Sequence, residues 1–86
     1  MKNSKFRKSI HSKVHVSIRE LLIKQRIAIN LSQREVAMKL NVTHSLIGKI
    51  ETGDRRLDTV EMVKYCKILE IEPGVVIELI EKILYS

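Results

Sequence analysis

The chain has 86 residues, 44% hydrophobic and 30% charged, which is a globular rather than a disordered composition. That length makes one small domain and excludes enzymes built on a large active-site scaffold. One cysteine rules out an internal disulfide framework and any multi-cysteine zinc site, and the scarcity of aromatics (two Tyr, one Phe, no Trp) argues against a surface that stacks single-stranded bases.

The formal net charge of +6 is unevenly spread. Residues 1–13 carry Lys2, Lys5, Arg7, Lys8 and Lys13 and no acid. Residues 14–57 carry eight basic and four acidic side chains, and residues 58–86 three basic and six acidic. A molecule positive at one end and mildly negative at the other suits a polyanion such as DNA. No uncharged run reaches about 18 residues, so no helix is expected to span a membrane. The N-terminus has no apolar core of the secretory kind, and a cytoplasmic protein is expected.

In chain order, residues 1–16 read as a basic, flexible arm preceding a domain over 17–86. Within the arm Val14, His15 and Val16 alternate, but three residues are too few to make a strand. Ser17-x-x-Glu20 has the form of a capping box, in which the cap side chain takes the N3 amide and the glutamate reaches back to the cap amide. It opens a helix over 18–29 with Ile18, Leu22 and Ile29 on one face, stopped at Asn30. Ser32-x-x-Glu35 opens a second over 33–40, with Val36, Ala37 and Leu40 inward. Asn41 stops it, because asparagine tolerates a left-handed backbone. Thr43 caps a third helix over 44–51 with Ile47 and Ile50 inward, and Gly53 ends it. Asp58-x-x-Glu61 opens a fourth over 59–69, its buried face read as Val60, Val63, Cys66 and Leu69. Pro73 fits the first turn of a last helix over 73–84. No second strand follows, so the expected fold is all-α with five helices.

Residues 33–52 form a helix-turn-helix. Two short helices that cross steeply need a small residue at the crossing, which Ala37 supplies. The turn needs a positive φ, which Asn41 supplies, and Val36, Leu40, Val42, Ile47 and Ile50 should point inward to lock the pair. The stretch RIAINLSQREVAMKLNVTHSLIGKIETGDRRLDTVEMVKYCKIL, Arg26 to Leu69, resembles the phage repressor and Cro-type helix-turn-helix family in cap, turn and core positions. The similarity is close over about half the chain and holds in outline over 17–85.

The resemblance implies a five-helix, lambda-repressor-like DNA-binding domain that meets double-stranded DNA through the major groove, on a palindromic operator, as a homodimer. The third helix enters the groove with its N-terminal residues on base edges. Carried over residue by residue, this places His44, Ser45 and Lys49 on bases. It places Gln33, Thr43, Arg55 and Arg56 on phosphates, and pairs Arg26 with Glu51 in a partly buried, structural ion pair. The chain departs from the family at Asn30 and Asn41, where glycine is usual, and at Leu46, where a phosphate-contacting hydroxyl is frequent. Leu46 could instead touch a thymine methyl. Leu57 replaces a frequent proline. Gly48 stands inside the recognition helix, where it either lets the backbone approach DNA or simply weakens the helix.

The last helix has more apolar residues than one buried stripe needs. Val76, Ile80 and Ile83 should cover the core, leaving Val75, Leu79 and Leu84 as a dimer contact. His11 and His15 read as arm residues rather than metal ligands, and Cys66 as a buried apolar side chain. No ligand spacing, phosphate loop or catalytic grouping is present, so no metal, cofactor or enzymatic activity is expected. The function read from the sequence is transcriptional repression by sequence-specific DNA binding. The rival readings are an antitoxin, which holds a toxin as protein partner while binding its own promoter, and a controller of a restriction–modification operon.

Overall fold

The computed structural model describes the backbone of residues 2–86 and the side chains from residue 12 onward. Five helices follow in order: α1 (Lys2–Ala28), α2 (Gln33–Leu40), α3 (His44–Thr52), α4 (Thr59–Leu69) and α5 (Pro73–Tyr85). No strand occurs among the described residues.

Four of the five helix starts lie within a residue of where the caps put them. Ser32 and Asp58 both form complete capping boxes with Glu35 and Glu61. Asn30, Asn41 and Gly53 take the left-handed backbone at φ 62°, 59° and 90°. A further left-handed residue, Glu70 at φ 61°, ends α4, and its signal was absent from the sequence because glutamate is a poor left-handed residue. The helix end is tied down all the same: Glu70 N–H donates to the Cys66 and Lys67 carbonyls, Ile71 N–H donates to the Cys66 carbonyl at 2.8 Å, and the Gln25 amide of α1 donates to the Leu69 carbonyl at 2.9 Å.

The first helix differs most from expectation. It does not begin at Ser17, which lies in its interior, and it runs through the boundary drawn at residues 16 and 17. Residues 14–16, the alternating triplet, are helical. Two physical reasons account for this. Residues 2–28 contain no glycine or proline to break a helix. Val14 also joins Ile18 and Leu22 in an i, i+4, i+8 stripe that is buried, so the apolar face continues one turn beyond the Ser17 box. The basic side chains before residue 12, expected as an arm, lie outside the described side chains.

α1 packs on α5, α3 and α4, while α2 packs on α3 and α4. Leu22, Val36, Ile47, Tyr65, Cys66, Leu69 and Val76 are enclosed at the centre. At roughly 1.5–3 kcal/mol for each fully buried large aliphatic side chain, these few residues carry most of the hydrophobic stabilisation. Half of the face expected to be buried on α4, Cys66 and Leu69, is buried. Val60 and Val63 are exposed instead; Tyr65 is buried with Cys66 and Leu69, and Met62 packs partly against them. The expected set is spaced i, i+3, i+6, i+9 and drifts about 180° round the helix, whereas residues 62, 65, 66 and 69 keep the i, i+3, i+4, i+7 spacing of one face. Val42 also turns outward more than expected, onto the rim of the α2–α3 turn.

Candidate nucleic-acid interface

The Ser32 hydroxyl accepts from the Glu35 amide at 3.0 Å, and the Glu35 carboxylate accepts from the Ser32 amide at 2.8 Å. The hydrogen bonds from the Ser32 backbone and hydroxyl hold the Glu35 carboxyl below the usual glutamate range. This box starts α2, and Asn41 ends it with its own N–H on the Ala37 and Met38 carbonyls. Val42 N–H then reaches back to the Ala37 carbonyl at 3.0 Å, closing the turn. Val36 and Ala37 from α2 meet Ile47 and Ile50 from α3 in the core.

Burial of Ile47 and Ile50 fixes which way α3 faces. At about 100° per residue, the opposite side carries Ser45, Gly48, Lys49 and Thr52. Ser45, Lys49 and Thr52 are exposed, as is His44 beside them. Thr43 is the N-cap by backbone, but its hydroxyl makes no cap bond and instead lies 3.3 Å from the Ser45 hydroxyl. Both hydroxyls therefore open onto the outer surface, within reach of a phosphate or a base edge. Leu46 goes the other way. It is half-buried against the core, so the thymine contact suggested for it has little apolar surface left to offer.

The orientation of α3 relative to the rest is held by a nearly buried ion pair. Arg26 Nε lies 2.7 Å from Glu51 Oε2 and Arg26 Nη2 donates to Glu51 Oε1 at 3.1 Å, the side chains being 14% and 7% exposed. Arg26 Nη1 donates to the Leu31 carbonyl at 2.8 Å, and Gln33 Nε2 donates to Glu51 Oε1 at 2.8 Å. One carboxylate at the end of α3 thus gathers α1, the α1–α2 loop and the start of α2. Gln33 braces the motif through one N–H of its amide.

Arg55 and Arg56 follow α3 in the loop to α4, and the structure separates them. Arg56 is exposed. Arg55 Nη2 lies 2.7 Å from Glu61 Oε2 and its Nη1 donates to Glu61 Oε1 at 3.2 Å. Glu61 also accepts from the Asp58 amide at 3.0 Å. The Arg55 guanidinium, then the Asp58 amide, hold the Glu61 carboxyl below its ordinary range, and Glu61 in turn raises Arg55. The sequence reading treated Glu61 as a capping residue alone. Its second role has no local signature, because the loop conformation decides whether residues six apart meet. Gly53 is fixed by its left-handed φ of 90°, and the Arg19 guanidinium lies over it, 2.8 Å from where a Cβ would stand.

On α5, Val76 is buried, and Ile80 and Ile83 pack partly against the core. The residues read as a dimer contact do not share one face. Val75 is exposed and Leu79 half-buried on one flank, while Leu84 falls about 140° from Leu79 and beside Ile77. Between α1, α4 and α5 lies a mainly apolar cleft of about 230 Å³ that Ile77 and Val63 help to line. His15 and Arg19 form part of its α1 wall. Cys66 is enclosed, and burial pushes its thiol up. Among the described residues no group of His, Cys, Asp and Glu has a metal-binding arrangement, and no helix is long and apolar enough to cross a membrane.

Residues 22–76 match the Helix-turn-helix family, from the middle of α1 into α5. The chain belongs to the helix-turn-helix family. Its fold is similar to that of an XRE-family like protein from Pseudomonas syringae pv. tomato str. DC3000, with a TM-score of 0.83 and 28% sequence identity over 92% of this chain and 95% of that one. Comparison with curated proteins gives no match. This helix-turn-helix protein is a DNA-binding transcription regulator.

Proposed function

We propose that the protein is a transcriptional repressor of the phage-repressor kind, acting as a homodimer on a two-fold symmetric operator. His44, Ser45 and Lys49 read base edges. Gln33, Thr43 and Arg56 hold phosphates, with Arg55 beside them. Two copies related by a two-fold axis would set their recognition helices about one helical turn of DNA apart, near 34 Å. Occupancy of such a site competes with the polymerase for the promoter.

The observation that supports dimerisation is the apolar surplus of α5. Ile77 is 57% exposed, Val75 44% and Leu84 38%. Of the two flanks, that of Ile77 and Leu84 makes the better contact, because Ile77 borders the cleft that Val63 of α4 also lines. Leu79 is the weaker candidate of the original three, since part of its side chain is already covered.

Sedimentation equilibrium at tens of micromolar, combined with selection of sites from a random duplex library, tests the reading. The wild type should be dimeric and should select a palindrome. Ile77→Glu should give a folded monomer with poor operator affinity, and Leu79→Glu a smaller effect. A monomeric wild type, or a selected site without symmetry, overturns the dimer. Purification with a stoichiometric second protein would move the reading to the antitoxin alternative.

A further inference from the structure

We infer that Gly48 is a specificity-determining residue, the point at which the backbone of α3 itself rests against the major-groove edge of the operator. The inference rests on α3 being the recognition helix. Glycine in a helix interior is disfavoured relative to alanine, because it loses more backbone freedom on folding. Folds retain it there for two internal reasons: a positive φ, or a neighbour too close for a side chain. Neither holds at Gly48. Its φ is not positive, in contrast to Gly53. A Cβ built on Gly48 meets nothing within 4 Å, whereas one built on Gly53 would strike Arg19. The room is therefore on the outside of the molecule.

That outside is the face opposite Ile47 and Ile50. Gly48 lies one turn from Ser45, adjacent to Lys49 and one turn before Thr52, so a side chain at 48 would stand between the reading residues and the DNA. The length of Ser45 makes this matter. A serine hydroxyl reaches only a short way from its Cα, and it can meet a base edge only if the helix axis sits deep in the groove. A bare backbone at residue 48 permits that depth. Any Cβ there lifts the helix, lengthens the Ser45 hydrogen bond and weakens sequence readout, while the long side chain of Lys49 can adapt.

The test uses Gly48→Ala and Gly48→Leu in the full chain. Two quantities are measured: the Tm of the free protein, and affinities for the library-selected site and for a random duplex of equal length. Gly48→Ala should raise Tm by about 4–8 °C, since the helix gains a better former and nothing clashes. The same change should weaken binding to the selected site at least tenfold and to random DNA less than threefold, and Gly48→Leu should weaken the selected site further. Unchanged affinity of Gly48→Ala for the selected site overturns the inference. Ser45→Ala and Lys49→Ala separate the two possible failures. If they lose affinity while Gly48→Ala does not, only the role of Gly48 falls. If all three bind as wild type, the assignment of α3 as the reading helix falls with it.

Discussion

Tyr65 carries its phenol into the core, where the hydroxyl is buried without a hydrogen-bond partner. Burial first, and the Glu51 charge second, push its pKa from 10.0 up to about 12, with Arg26 opposing. An unmatched buried hydroxyl costs roughly 1–3 kcal/mol. Tyr65→Phe removes the hydroxyl and keeps the ring, so Tm at neutral pH should stay level or rise. The alkaline behaviour should change as well. Above pH 10 the phenol ionises in the unfolded chain while the folded one stays neutral, so the wild type loses stability as pH climbs from about 10 to 12. That fall should be shallower in Tyr65→Phe, read by thermal melts across the range. A Tm several degrees lower at neutral pH would show that the hydroxyl is satisfied after all.

At the scale of elements, α2, α3 and the starts of α4 and α5 were legible because their boundaries are set locally. Ser32, Asp58, Asn41, Gly53 and Pro73 each act on the backbone within a few residues. The start of α1 was not, since a valid capping box at Ser17 competes with a tertiary contact: Val14 gains more by joining the core than Ser17 does by capping. The Arg55–Glu61 pair failed to show because it depends on what lies opposite, whereas the period of α4 itself favours Met62 and Tyr65 beside Cys66 and Leu69. The Arg26–Glu51 pair was legible through resemblance alone, not through spacing. These two pairs should behave differently. Arg26 and Glu51 are almost enclosed, so Arg26→Ala strands a buried carboxylate on Gln33 alone and should cost about 3 kcal/mol. Arg55 and Glu61 are 37% and 33% exposed, and solvent screens them. Melting curves should therefore show a far larger drop in Tm for Arg26→Ala than for Arg55→Ala, and equal drops would mean that the buried pair contributes nothing special.

Over the whole molecule, charge and apolar surface are segregated. Lys49, Arg55 and Arg56 lie on or just after α3, whereas six of the ten acids fall in residues 58–86. Cations that meet phosphates release counterions, so the logarithm of affinity falls with the logarithm of salt concentration at a slope near −0.9 per phosphate neutralised. The two loop arginines should not count equally in that slope. Arg56 is exposed and forms no ion pair among the described residues, so Arg56→Ala should flatten the slope by about one per protomer. Arg55 already faces a carboxylate, and a phosphate must displace Glu61 to gain it, so Arg55→Ala should flatten the slope less. Glu61→Gln offers the converse: it keeps the capping acceptor for the Asp58 amide but frees the guanidinium charge. Its slope should steepen, and its affinity for random and selected duplexes should rise alike, because a phosphate contact carries no sequence information. Salt titrations of the three variants on one random duplex measure all of this. If Glu61→Gln binds more weakly than wild type at every salt concentration, then Glu61 positions Arg55 for the phosphate instead of competing with it.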